Sequence, residues 1–174
     1  MDLGTSIIGA ILVAICVLPF LLLGRSRRKR EKRMMQSLMK IAEKENCIIS
    51  EQDSCREFII GIDRTNHFLF FNKFSNGKET SRFANLEEIQ SCKLVNKSRA
   101  IDKKESNVLV IDKLELSFRP LDKNSEEFSW EFYSSDENSH LDDELQLLEK
   151  WVKIINNHIQ RKRNAITKPK PGKK

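Results

Sequence analysis

Glycine, proline and cysteine are scarce in this chain, and their scarcity excludes several kinds of site. Six glycines and four prolines occur among 174 residues, and no stretch forms a glycine-rich phosphate loop or a G-x-S-x-G motif. The four cysteines lie at positions 16, 47, 55 and 92 without a C-x-x-C pair. This spacing predicts reduced thiols rather than a disulfide framework or a zinc site.

Histidine is equally rare, and its positions suggest no catalytic group. His67, His140 and His158 are far apart and share no H-x-x-H or H-E-x-x-H spacing. Acidic pairs such as Glu87-Glu88 are adjacent in sequence, so their carboxylates point apart instead of converging on a substrate. We therefore expect no catalytic residue, no metal ligand and no cofactor, and we predict that the chain is not an enzyme.

One long uncharged run lies at the N-terminus. Residues 3–23 contain no Asp, Glu, Lys or Arg, and a helix of about 20 residues spans about 30 Å of hydrocarbon. Met1-Asp2 lacks the basic group that begins a cleaved signal peptide. The sequence thus predicts an uncleaved transmembrane anchor in residues 1–24. Ser6, Ala10 and Ala14 recur every fourth residue, which leaves self-association through the anchor as an open possibility.

A dense basic run follows the anchor and sets its orientation. Residues 25–33 hold seven Lys or Arg and one Glu. Because basic loops stay on the cytoplasmic side, we predict a single-pass protein of the plasma (inner) membrane, with its N-terminus outside and its remainder in the cytosol. Nonspecific contact with anionic lipid headgroups is predicted for Arg25, Arg27, Arg28, Lys29, Arg30, Lys32 and Arg33.

Charge is distributed differently in the rest of the chain. Residues 34–160 contain 17 basic and 23 acidic groups, whereas the segment from Arg161 onward contains seven basic groups and no acid. We predict that residues 161–174 form a disordered basic tail. Because aromatic residues do not alternate with these cations, we expect no specific nucleic-acid partner.

The segment 25–46 is predicted to continue the basic run into an amphipathic connecting helix. Met34, Leu38 and Ile41 recur at helical spacing, with no glycine or proline between residues 29 and 44. This apolar stripe could lie on the membrane interface, pair with another copy, or pack on the following domain. Two heptads are too short for an independent coiled coil, so packing on the domain is the expected outcome.

Residues 47–160 are predicted to form one domain of about seven antiparallel strands. The apolar pattern changes toward period two, and turn signals such as Arg64-Thr65-Asn66 and Asn76-Gly77 interrupt it. The predicted strands cover 57–63, 67–73, 79–83, 89–96, 108–112, 113–119 and 127–133, with 108–119 alternatively forming one bent strand. Residues 96–107 are expected to be an exposed polar loop. The best core candidates are Leu114, Leu116, Phe118, Phe128, Trp130 and Phe132.

A C-terminal helix is predicted to cover this sheet. An apolar stripe recurs at spacings of three and four residues and consists of Leu141, Leu145, Leu148, Val152, Ile155 and Ile159. Ser139 and Asp142 are spaced as in a capping box at its start, and Arg161 to Arg163 suit its negative end. The predicted fold class is therefore α+β, a small antiparallel barrel or sandwich closed by one helix.

Three segments carry a resemblance to a known fold. FIIGIDRTNHFLFF, NLEEIQSCKLVN and LQLLEKWVKIINNHI resemble segments of an uncharacterised family of bacterial membrane-tethered proteins with a pleckstrin-homology-like (PH-like) fold. The resemblance spans residues 57–160 and implies a binding module. Phosphoinositide-binding members use a basic cluster in the loop between the first two strands, whereas that predicted loop offers only Arg64 beside Asp63.

Two hypotheses for function follow from these observations. In the first, a membrane-anchored cytosolic module recruits or regulates a protein partner. In the second, an accessory or sensor subunit assembles with other membrane proteins through its transmembrane and connecting helices.

Overall fold

The structure, a computed structural model, describes residues 28–103, 106–137 and 141–167, together with Val13 and Cys16, which are both helical. Helix α1 includes residues 28–44. The other elements are β1 (Glu51–Cys55), β2 (Phe58–Asp63), β3 (Phe68–Ser75), β4 (Lys78–Asn85), β5 (Ile89–Lys103), β6 (Ser106–Pro120), β7 (Phe128–Ser134) and α2 (Glu144–Thr167). Apart from Val13 and Cys16, the predicted anchor lies outside the described residues. Among the described helices, none combines the length and apolar character needed to cross a bilayer.

The strands form two antiparallel sheets. One sheet has the order β1-β2-β3-β4 and the other has the order β5-β6-β7. Helix α2 packs mainly on β5 and also touches β1 and β6. The predicted α+β class, with seven strands and a C-terminal helix in a sandwich-like arrangement, is confirmed.

The two central strands of the first sheet, β2 and β3, are buried on both faces, which explains the nearly continuous apolar run of β2. Phe58, Ile60 and Ile62 face the second sheet and α2, whereas Ile59 faces α1. Strand β3 repeats this division, since Leu69 and Phe71 belong to the first set and Phe70 to the second. Successive side chains of a strand point to opposite faces, so both sets must be apolar when both faces are covered.

Helix α1 packs on the outer face of the first sheet. Met34, Leu38 and Ala42 are buried there against Ile59 and Phe70. The prediction that the amphipathic helix packs on its own domain is therefore confirmed.

Gly61 permits this close approach of α1. A Cβ atom at this position would lie 3.1 Å from Leu38 Cδ2 and 3.0 Å from Ile49 Cγ2. Such distances are shorter than ordinary van der Waals contact, so a larger residue would push the helix or the Ile49 side chain away from the sheet.

The inner core lies between the two sheets and α2. Five of the six predicted core residues are buried there, as are Trp151 and Ile155 of α2. Phe128 is the exception at 36% exposed. It begins β7 and stacks on Phe118, with ring centroids 5.1 Å apart. Its position at the strand end leaves one side of the ring in solvent.

Several predicted strand boundaries were wrong. Strand β1, EQDSC, was missed because it lacks an apolar alternation. Residues 108–119 belong to one strand, β6, so the alternative prediction of a single strand is confirmed there. Within the predicted loop at 96–107, residues 96–103 continue β5 and residues 106–107 begin β6, and the two strands stay paired as far as Lys103 and Ser106. Backbone hydrogen bonds to the facing strand stabilise this ribbon without an apolar pattern.

The predicted tight turns are present. Asn76 and Gly77 have φ values of 50° and 76°, as a two-residue hairpin turn of type I′ requires. At the other end of β3, the Asp63 carboxylate accepts hydrogen bonds from the amides of Thr65 at 2.8 Å and Asn66 at 3.0 Å. It also accepts one from the Ile48 amide at 2.8 Å, which fixes the chain that leaves α1.

The bounds of α2 correct the predicted ends of the C-terminal helix. The helix begins at Glu144, and its first carbonyl acceptor is Asp143, which receives a hydrogen bond from the Leu147 amide at 3.0 Å. Ser139, the predicted first residue of a capping box, lies outside the described residues. The helix continues to Thr167, so the segment assigned to a disordered tail begins with helix, and residues 168–174 lie outside the described residues.

Candidate functional site

The predicted headgroup-contacting residues that the structure describes lie along the start of α1. Arg28, Lys29, Lys32 and Arg33 are exposed, and none of them forms an ion pair with a described residue. Arg25 and Arg27 lie outside the described residues. Four cations of the predicted site are therefore available at one end of the domain.

Arg30 differs from these four cations because it docks against the first sheet. Its Nη2 donates to the Phe74 carbonyl at 2.8 Å and to Glu57 Oε1 at 3.3 Å. Its guanidinium also lies 5.7 Å from the centre of the Phe74 ring. Arg30 therefore attaches the basic end of α1 to β3 and to the β1–β2 turn, a role that the sequence did not indicate.

A cavity of about 260 Å³ separates this end of α1 from β3 and β4. Its walls include Lys29, Arg33, Asn72 and Glu79. Asn72 is fully buried, and its Nδ2 donates at 2.8 Å both to Glu79 Oε1 and to Ser81 Oγ. The cavity thus has a cationic rim and a polar floor.

Glu79 remains charged in this cavity. Hydrogen bonds from Ser37 and then from Asn72 lower the pKa of its carboxyl group, and the charges of Arg33 and Lys40 lower it further, although burial opposes them. A proton-transfer group needs a pKa near the operating pH. These interactions move the pKa of Glu79 away from that range, which does not favour Glu79 as a proton-transfer group.

An alternating chain of charges crosses the second sheet and continues onto the first. Lys113 lies 3.0 Å from Glu115 and 2.7 Å from Glu131. Lys73, which is 7% exposed, lies 3.2 Å from Glu131 and 2.8 Å from Glu137. Burial raises the pKa of Glu131, but the hydrogen bond from Lys113 and the charge of Lys73 outweigh it and lower the pKa overall. Each buried charge is paired, as a structural network requires.

The structure brings two of the three histidines together. His67 Nδ1 lies 2.8 Å from His158 Nε2, a hydrogen-bond distance. Burial lowers the pKa of both imidazoles; the charge of Lys162 lowers that of His67 further, and His67 itself lowers that of His158. No local sequence pattern links position 67, just before β3, with position 158 on α2, so this pair was not predicted from the sequence.

Two of the cysteine thiols are poor nucleophiles. Burial raises the pKa of the Cys55 and Cys92 thiols to about 12, so both remain protonated at neutral pH. Within residues 28–103, 106–137 and 141–167, no group of three His, Cys, Asp or Glu side chains could hold a metal ion. The described geometry thus contains a basic surface and polar cavities, and these features favour binding.

Comparisons of the chain with protein-family models, with curated proteins and with solved structures find no match. A function for this chain must therefore be inferred from its own residues.

Proposed function

We propose that this chain is a membrane-anchored cytosolic interaction module that recruits or regulates a protein partner at the inner face of the plasma membrane. Residues 3–23 would form its anchor, and the basic run that follows would contact anionic headgroups. The proposal assigns binding to the domain and assigns it no catalytic role.

The observation that carries this proposal is the packing of α1 on the domain. Met34, Leu38 and Ala42 are buried against the first sheet, and Arg30 is hydrogen-bonded to the Phe74 carbonyl. The basic run and the folded domain are therefore parts of one packed body. An anchor that precedes α1 would hold the domain close to the bilayer instead of leaving it on a flexible linker.

The fold assignment within this proposal is a PH-like domain. A four-stranded and a three-stranded antiparallel sheet followed by one long helix support it. PH-like domains are scaffolds on which different binding sites occur, so the fold alone does not specify a ligand.

The alternative is an accessory subunit that assembles through its helices. Its connecting helix would need an apolar stripe free to meet another membrane protein. In the structure, that stripe is covered by Ile59 and Phe70 of the same chain. The alternative then depends on the anchor alone, where Ser6, Ala10 and Ala14 could pack against a second helix.

The first test of this proposal measures the membrane topology of the full chain. The full chain would be expressed with a C-terminal green fluorescent protein, which fluoresces only in the cytosol, and in parallel with a C-terminal alkaline phosphatase, which is active only outside. We expect a fluorescent, membrane-bound product and an inactive phosphatase. An active phosphatase or a soluble product would contradict the proposal.

Partner recruitment is tested by in-cell crosslinking of the full chain and of a chain that begins at Arg28 and is fused to an unrelated single-pass anchor. Recovery of the same partner by both chains would support recruitment by the domain. Recovery only by the chain with its own anchor would instead favour assembly through the transmembrane helix. The second chain retains α1, which covers Ile59 and Phe70. Nonspecific capture of proteins by these two apolar side chains is therefore avoided.

A further inference from the structure

Strand β4 leaves one side of its backbone open. It pairs with β3 and forms the edge of its sheet. Because Ser75 faces Lys78 across the tight turn, the even-numbered residues of β4 direct their peptide groups toward β3. The peptide groups of Glu79, Ser81 and Phe83 consequently point away from the sheet. They provide three N–H donors and three C=O acceptors in the spacing that an added strand requires.

A cavity of about 350 Å³ lies beside this edge, on the inner face of β4. Lys78, Thr80 and Arg82 line it from β4, with alternate side chains on the same face of the strand. Lys78 and Arg82 are exposed and have no ion pair with any residue that the structure describes. The carboxylates on the opposite wall, Glu131 and Glu137, are already paired with Lys73.

The other face of the edge offers apolar contact. Phe83 is 46% exposed, and its ring lies 6.2 Å from Phe68 and 6.3 Å from Phe70. An incoming side chain could therefore cover Phe83 and extend an existing aromatic cluster.

We propose that the β4 edge binds an extended acidic segment of a partner protein as an additional antiparallel or parallel strand. The backbone of Glu79, Ser81 and Phe83 pairs with the added strand, whose carboxylates enter the cavity beside Lys78 and Arg82. An apolar residue of the same segment covers Phe83. This inference rests on the proposed recruitment function and names the partner's chemistry and its docking site.

The positive charges of Lys78 and Arg82 favour an acidic partner segment over the chain's own terminal segments and over a second copy of the chain. The two terminal segments that lie mostly outside the described residues are apolar at 3–23 and basic at 25–27 and 168–174, so they do not complement Lys78 and Arg82. A second copy paired through β4 would bring these same two cations close to their equivalents. Like charges on paired strands are destabilising.

The test uses the full chain in detergent micelles and short synthetic peptides as probes. One peptide alternates Glu with Val, a second alternates Lys with Val, and a third is the Glu–Val peptide with a central proline. Binding is measured by fluorescence anisotropy, and amide hydrogen exchange is followed at Glu79, Ser81 and Phe83. Of the three peptides, we expect only the Glu–Val peptide without proline to bind and to slow hydrogen exchange at those three amides.

Four variants show where the peptide binds. The double variant Lys78→Glu with Arg82→Glu should weaken binding about tenfold or more, because it reverses the charge that the peptide meets. Its matched control, Lys93→Glu with Lys123→Glu, makes the same change in net charge at exposed positions elsewhere and should leave binding unchanged. Ser81→Pro removes one outward N–H donor but no backbone hydrogen bond to β3, and it should also weaken binding. Because it also loses the side-chain hydrogen bond that Asn72 donates to Ser81 Oγ, it is compared with Ser81→Ala, which loses that bond but keeps the N–H and should leave binding unchanged.

Each other outcome overturns the inference. Equal binding of the Lys–Val peptide, or equal weakening by both double variants, would indicate a nonspecific interaction. If exchange at Glu79, Ser81 and Phe83 is slow without peptide and becomes slower as the protein concentration rises, two copies pair through this edge. Failure of all peptides to bind while the fluorescent fusion remains membrane-bound would remove this docking site but leave the proposed membrane module intact.

Discussion

The His67–His158 pair is the residue-scale feature with the clearest dependence on pH. His67 has a φ of 61°, and its carbonyl accepts a hydrogen bond from the Leu86 amide at 2.7 Å. This hydrogen bond holds the backbone of His67 independently of the contact between its ring and α2. Burial and the charges of Lys162, Arg64 and Arg161 disfavour protonation of the two imidazoles, whereas the charge of Asp63 opposes them more weakly. Glu87 Oε1 also lies 3.9 Å from His67 Nε2. The neutral pair is therefore favoured in the folded chain.

This pair predicts a loss of stability in mild acid. Both folded pKa values lie below the ordinary 6.5, so the unfolded chain binds protons at a higher pH than the folded chain does. The free energy of unfolding should consequently decrease as pH falls below 6.5 toward those lower values. The carboxyl groups of Glu79 and Glu131 titrate below this window, since their pKa values are lowered from 4.5. Urea unfolding at a series of pH values measures the effect.

The control for this prediction is the double variant His67→Asn with His158→Gln. The amide of Asn can replace Nδ1, that of Gln can replace Nε2, and Asn tolerates the positive φ of position 67. The variant should be nearly independent of pH between 6.5 and 5. If its stability falls with pH as steeply as that of the natural chain, the histidine pair is not the cause.

A second residue-scale prediction concerns Arg30. Replacing Arg30 with Gln removes the hydrogen bonds to the Phe74 carbonyl and Glu57, and it should lower the free energy of unfolding by about 1–2 kcal/mol. Lys32→Gln, at an exposed position on the same helix, should change it by less than about 0.5 kcal/mol. Equal effects in chemical denaturation would mean that Arg30 acts only through its charge.

At the scale of elements, the interface between α1 and the first sheet can be tested by removing one side chain. Leu38 is fully buried, so Leu38→Ala should cost about 2–5 kcal/mol through lost burial and a residual cavity. Met39 is 47% exposed, and Met39→Ala should have little effect. A small effect at Leu38 in thermal or urea unfolding would show that α1 contributes little to the fold.

The elements also show why parts of the fold could be predicted from the sequence. Helix α1, the β2–β3 pair and the Asn76-Gly77 turn were predictable because their apolar periods and turn residues are local signals. Strand β1 and the outer half of the β5–β6 ribbon were not, because backbone pairing with a neighbouring strand stabilises polar sequences such as EQDSC. Propensity is a weak guide where tertiary pairing decides the conformation.

The candidate site was predictable to a similar extent. The basic run was evident from charge density, and its four exposed cations lie on α1 as an amphipathic helix implies. Contacts between distant parts of the chain left no local signal: Arg30 meets Phe74, and His67 meets His158 across 91 positions. The edge position of β4 likewise depends on the order of strands in the sheet, which short sequence patterns do not determine.

At the scale of the whole molecule, the two core clusters divide the described chain into layers. One cluster joins both sheets and α2, and the other joins α1 to the outer face of the first sheet. The second cluster is small, and it connects the proposed membrane-proximal segment to the domain. The integrity of that cluster therefore determines whether the chain behaves as one body or as a domain on a linker.

Truncation distinguishes these behaviours. A chain that begins at Arg28 keeps α1 and should unfold in one cooperative transition, whereas a chain that begins at Glu45 leaves Ile59 and Phe70 uncovered. We expect the shorter chain to be less stable to urea by several kcal/mol, about 25 cal/mol for each Å² of apolar surface exposed, and to bind a hydrophobic dye. Restoration of stability by a synthetic peptide of residues 28–46 would attribute the loss to α1 itself. Equal stability of the two chains would mean that α1 is free to leave the domain, and the connecting helix would then be available to pair with another membrane protein.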